Sequence, residues 1–197
     1  MHRLFVFLVL LLPGLYGGLA WAQDTPAALQ SVCPVPGEGP ALSPLRFQVL
    51  YVDSERSRDS NTSRFAGSFD GRILTISAPY GECVRGRCAH GKVRLLLSED
   101  EVMALSAELE ARSLWTSISE RDKTEWRSPY TKFEASLEVS DGTRSAESGI
   151  VYVQRRIDGK RVKTGSPEAH VRASDIHQLL SFMQTTAQRC YPDFQRS

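Results

Sequence analysis

Residues 133–162 read FEASLEVSDGTRSAESGIVYVQRRIDGKRV, and this stretch decides the fold class. Phe133, Ala135, Leu137 and Val139 alternate with polar neighbours. A period of two places the apolar set on one face of a strand and the polar set on the other. Asp141-Gly142 ends the run, because glycine takes a positive φ without steric penalty. Ile150–Val153 forms a second strand, and Asp158-Gly159 turns it into a third around Val162. Downstream, Ser174 caps a helix that runs to about Arg189, with Ile176, Leu179, Leu180 and Met183 facing inward.

The preceding half has the same order. Phe47, Val49 and Tyr51 alternate with Gln48, Leu50 and Val52, a strand with one face more apolar than the other. Residues 53–64 (DSERSRDSNTSR) are wholly polar and are expected to form a mobile loop. Asp70-Gly71 marks a tight turn, Ile73, Leu74 and Ile76 a strand closed by Pro79, and Val93–Leu97 another, together a three-stranded meander. Ser98-Glu99-Asp100-Glu101 then has the pattern of a capping box. Its Ser caps free amides and its Glu reaches back to the cap amide. That helix would run to about Ser113 and bury Val102, Leu105 and Leu109. Strands followed by a helix thus occur twice, over 45–115 and 131–190. The expectation is one α+β domain over 45–197: an antiparallel sheet with two helices, built from two ββ(β)α units and stapled by disulfides.

The N-terminus has a different character. Arg3, the unbroken apolar run Leu4–Leu12, the breaker Pro13-Gly14 and the small-x-small site Ala20-Trp21-Ala22 form the three-part layout of a signal peptide over 1–22. A nine-residue apolar run is too short for a bilayer span, which needs roughly 20. Residues 23–44 carry Pro26, Pro34, Pro36, Pro40 and Pro44 and read as an extended Pro-rich arm. Removing the signal leaves 23 residues of each charge sign, so whole-molecule attraction to nucleic acid or an anionic membrane has no support. Localisation is expected to be periplasmic or secreted.

All four cysteines follow the signal, and an even count in an oxidising compartment reads as disulfides. The favoured pairing is Cys83–Cys88 across a hairpin end and Cys33–Cys190 tying the two ends of the chain. Loop entropy makes the short bridge worth about 2 kcal/mol and the long one about 5. Cys83-x4-Cys88-x-His90 also places three zinc-capable groups in eight residues, but no second ligand cluster completes a zinc site. No metal or other cofactor is therefore expected.

No metalloprotease, nucleophile-elbow, phosphate-loop or dinucleotide motif occurs. His90, His170 and His177 are the histidines after the signal, and the spacing of His170 and His177 is wrong for a shared metal on one helix. Two basic groups carry the binding expectation. Arg155, Arg156, Lys160, Arg161 and Lys163 surround the Asp158-Gly159 turn, with Arg161 and Lys163 on one face. Arg85 and Arg87 sit inside the Cys83–Cys88 loop, whose closure would remove its ordering entropy. The plainer reading of the first group is a charged hairpin that resists edge pairing. Trp115, Trp126 and Tyr130 lie between the halves, where they can fold back over the core or anchor an interface.

These features point to an exported, non-catalytic binding protein acting on a protein partner, of the kind a periplasmic inhibitor or immunity protein represents. A small secreted hydrolase using His90 or His177 is the alternative, and a structural component of the cell envelope a third reading.

Overall fold

A computed structural model describes residues 41, 43–56, 61–84 and 87–191, with the backbone alone described at 61, 78–84 and 87–90. The signal peptide, Cys33 and Arg85 lie outside the described residues. So do the side chains of Cys83, Arg87, Cys88 and His90, and neither proposed disulfide is described. Cys190 itself is not a free thiol.

The described residues form eight strands and two helices. The first half contributes β1 (Arg46–Arg56), β2 (Asn61–Phe69), β3 (Ile73–Val84), β4 (Arg87–Leu96) and α1 (Glu99–Ala111). The second contributes β5 (Ile118–Arg121), β6 (Tyr130–Ser140), β7 (Ser145–Ile157), β8 (Lys160–Lys163) and α2 (Pro167–Gln188). One sheet runs through both halves in the order β4-β3-β2-β1-β6-β7-β5, with β8 also on β7. Every pairing is antiparallel except that of β5 with β7. The β1–β6 ladder from Arg46↔Ser140 to Arg56↔Tyr130 joins the halves. The expected α+β class and antiparallel sheet are therefore present, but the two units share one sheet and one core.

Alternation decides which face becomes the core. Phe47 stands beside Phe69 and Val139, Val49 beside Gly67 and Leu137, and Ile76 beside Val93, so one side of the sheet is continuously apolar. α2 lies across it, approaching β1 through β7 and burying Ile176, Leu179, Leu180 and Met183. α1 runs antiparallel beside α2. Its Leu105 and Leu109 join the same core, and the Glu101–Arg189 ion pair (3.0 Å) links its start to the end of α2.

Four expectations are corrected. Residues 53–64 are not a loop throughout, since β1 continues to Arg56 and β2 begins at Asn61. β3 does not close at Pro79 but continues to Val84, with Pro79 opposite His90. A proline is tolerated here because its nitrogen faces β2, and β2–β3 pairing has already ended at Ala66↔Ser77. α2 starts two turns before Ser174, capped by Ser166 with Pro167 in its first turn. The capping box at Ser98 and Glu101 forms as expected and α1 ends at Ala111, near the expected end, but Val102 is only half-buried.

Candidate functional site

Both helices cover one face of the sheet, so the other face has no covering element among the described residues. Cross-strand register maps it directly. One row runs Glu147, Glu138, Gln48, Ser68, Thr75, Arg94, and the next runs Gly149, Ser136, Leu50, Ala66, Ser77, Lys92. A third carries Val151, Glu134, Val52 and Arg64. The middle of this face mixes Ser68, Ser77, Thr75 and Ser136 with Gln48, Leu50, Ala66 and Val52. The acids of these rows lie on β6 and β7 and their bases on β2 and β4, and Arg46 on β1, Arg121 on β5 and Lys132 on β6 add further bases.

Strands are spaced about 4.8 Å apart, so Glu138 and Arg94 stand roughly 19 Å apart across four steps. A groove of about 580 Å3 runs over Gln48, Ser68, Thr75 and Ser77, with Arg64 and Lys92 on one side and Glu138 on the other. A second groove of about 630 Å3 shares Gln48, Ser68 and Glu138 and continues toward Arg46 and Glu147. Glu134 is engaged by Lys132 (2.6 Å), whereas Arg64, Lys92, Arg94 and Glu138 make no ion pair among the described residues. The result is a trough of mixed polar and apolar lining, with both charge signs available at its rims.

The basic groups singled out from the sequence lie elsewhere. The β7–β8 hairpin turns through Asp158 (φ 50°) and Gly159 (φ 78°). Arg156 stands opposite Arg161, and Lys163 opposite Gln154, so Arg156, Arg161 and Lys163 share a face. Arg155 is on the other face, with its guanidinium 4.6 Å above the Trp126 ring and half-buried. The Trp126 indole N–H donates to Asp122 Oδ2 at 2.9 Å. Burial tends to raise the Asp122 carboxyl, but hydrogen bonds from Thr124, Thr164 and Trp126 outweigh it and hold the pKa at about 2. Trp115 packs against the core under the Arg144 guanidinium (3.8 Å). Arg87 opens β4, on the opposite sheet edge from β8. Six strand steps, roughly 29 Å, separate β4, which Arg87 opens, from β8.

A titratable cluster lies under α2 at the end of the sheet. His177, in the middle of α2 rather than its first turn, packs 4.7 Å from the Tyr51 ring and edge-on to Phe65 at 6.1 Å. Burial pushes its pKa down, against a smaller opposing pull from Asp53. Asp53 is pushed up by burial and by Glu55, with His177 acting the other way. Tyr51 and Tyr152 interact through their hydroxyls, and burial raises both. The cluster therefore holds a neutral imidazole beside two neutral phenols at pH 7, and neither phenol is an activated nucleophile. His170 instead donates from Nε2 to Thr164 O (2.6 Å), and Glu120 accepts from Ser166 N and Oγ (2.7 and 2.5 Å). These bonds fix the start of α2.

Sequence reading missed the trough because no single segment carries it. Its lining alternates with core residues on strands across the sheet, and β2 was not recognised as a strand. No protein-family model matches the chain, and no curated protein matches it.

Proposed function

We propose that this chain is an exported, non-catalytic binding protein that receives a protein partner on the uncovered face of its sheet, as a periplasmic inhibitor or immunity-type protein would. One observation carries the reading. The eight-stranded sheet has one face buried under two helices and the other uncovered among the described residues, with serines, Thr75, Gln48, Leu50 and Ala66 between Glu138 and Glu147 on one side and Arg64, Lys92 and Arg94 on the other. A sheet face left bare, with Glu138, Arg64, Lys92 and Arg94 making no ion pair among the described residues, suits an interface in which complementary potential sets register and specificity. Export rests on the signal-peptide pattern of residues 1–22, and the pairings Cys83–Cys88 and Cys33–Cys190 belong to the same reading.

A photo-crosslinking residue at position 68, in native envelope extract, is expected to give one defined adduct, and the same residue at exposed position 174 on α2 none. An adduct from 174 and none from 68 overturns the site. Mature protein beginning at Met1 rather than Gln23 overturns export.

The hydrolase reading has one observation in its favour, the electrostatic coupling of Asp53 and His177. His177→Ala that abolishes turnover of an ester or peptide substrate without lowering Tm would establish it in place of the binding reading.

A further inference from the structure

Resting on the binding reading above, we infer that the free edge of β4 takes an added antiparallel strand from the partner, and that this strand carries acidic residues at alternate positions. β4 is the terminal strand of the sheet, ten residues long, whereas the other edge ends in the four-residue strands β5 and β8.

Two hydrogen bonds fix the direction in which β4 points its backbone. Leu97 N donates inward to Arg72 O (3.4 Å), while Leu96 O accepts from outside the sheet, from Arg189 Nη2 (3.2 Å). Backbone groups alternate in direction along a strand. The amides and carbonyls of Lys92 and Arg94 therefore face outward with Leu96, and among the described residues nothing bonds them. The Arg189 contact closes one end of this edge and leaves the stretch through Lys92 and Arg94 open.

The same two residues extend their side chains over the uncovered face, exposed and without an ion pair among the described residues. In an antiparallel hydrogen-bonded pair, the residue opposite Lys92 or Arg94 points its side chain to that same face. Carboxylates there would meet both cations, while the backbone bonds supply affinity. A second copy of this chain is disfavoured, because β4 against β4 would bring lysine and arginine side chains together. Charged edges also guard against indiscriminate pairing, so the strand admitted is one that neutralises them.

The test uses oxidised mature protein and the capped peptide (Val-Glu)3. Binding is expected to shift the Lys92 and Arg94 amide resonances and slow their hydrogen exchange. The Lys92→Ala/Arg94→Ala variant, checked for an unchanged fold by its spectrum, is expected to bind roughly tenfold more weakly. Methylating the glutamate nitrogens, which face β4 in this arrangement, should abolish binding, and methylating the valine nitrogens should not. Equal binding by the two methylated peptides, or by (Val-Lys)3, overturns the inference. So does perturbation confined to Ser68 and Ser77, or no binding by any peptide. None of these alters the adduct expected from position 68, so the edge can fail while the binding reading stands, and the reverse is equally visible.

Discussion

Gly67 on β2 and Met183 on α2 share one space. The Met183 methyl lies where a side chain at Gly67 would begin, with Met183 Sδ 3.0 Å and Val49 Cγ1 3.1 Å from that point. Met183 is fully buried, so its thioether has no route to solvent. The glycine therefore sets how closely the helix seats on the sheet. Gly67→Ala is expected to cost about 1–3 kcal/mol by overpacking, read by urea unfolding. Gly67→Ala/Met183→Ala should be less damaging than the two single changes added together, because shortening Met183 makes room for the added methyl, which partly fills the void left at 183. Strict additivity would show that the two residues do not compete.

The same glycine explains part of what the sequence concealed. Phe65, Gly67 and Phe69 all face the core, but a missing side chain in the middle breaks the apolar alternation, and Arg64, Ala66 and Ser68 face an open surface that needs no apolar cover. β2 thus looks like a polar loop. The β6 segment was legible because Ala135, Leu137 and Val139 are an unbroken buried set. The start of α2 was concealed for a different reason. Its first turns bury Ala169, Arg172 and Ala173 rather than large aliphatic residues, so the periodic signal begins only at Ile176. The trough depends on register across several strands, and no local pattern records register.

The capping box at the start of α1 was readable because all its bonds lie within four residues. Glu101 N donates to Ser98 Oγ (3.3 Å), and Ser98 N donates to Glu101 Oε2 (2.8 Å). Ser98→Ala is expected to lower stability by about 1 kcal/mol, and Ser98→Asp to retain most of it. Thermal unfolding of the three proteins side by side checks this. An unchanged midpoint for Ser98→Ala would show that α1 is held by Leu105, Leu109 and the Glu101–Arg189 pair alone.

The pH dependence of stability should carry two opposing contributions from one cluster. His177 has a folded pKa below its ordinary value, so the unfolded chain takes the proton first. Its contribution is present above about pH 6.5 and is lost as the pH falls from there through the lower folded value. Asp53 has a folded pKa above its ordinary 3.8, so its charge opposes folding at neutral pH, and that penalty is relieved as the pH falls through the folded value. His177→Gln is therefore expected to flatten the fall in Tm between about pH 7 and pH 5. Asp53→Asn should raise Tm at pH 7, with the gain vanishing near pH 4. It should also move the NMR titration of His177 further down, because the carboxylate that favours the imidazolium is gone. An upward movement would show that Asp53 does not act on His177.

Arg172 bears on how the two helices are joined. It is 4% exposed, and its Nη2 donates to Ser113 O (2.9 Å), at the left-handed residue (φ 51°) that follows α1. Its Nε and Nη1 have no hydrogen-bond partner among the described residues. Burial depresses its pKa, with Asp175 on the next turn of α2 pulling the other way. A buried guanidinium with two idle donors loses hydration that one bond to an exposed serine carbonyl does not replace. Ser113 O can take water in its place, because Ser113 is exposed. Arg172→Met, which keeps the apolar stem and removes the charge, is therefore expected to leave stability unchanged or raise it by about 1 kcal/mol. Arg172→Ala, which also opens a void against the core, should lower it by about 2 kcal/mol. If methionine proves as damaging as alanine, the bond to Ser113 outweighs the desolvation of the guanidinium, and the end of α1 depends on α2 for its geometry.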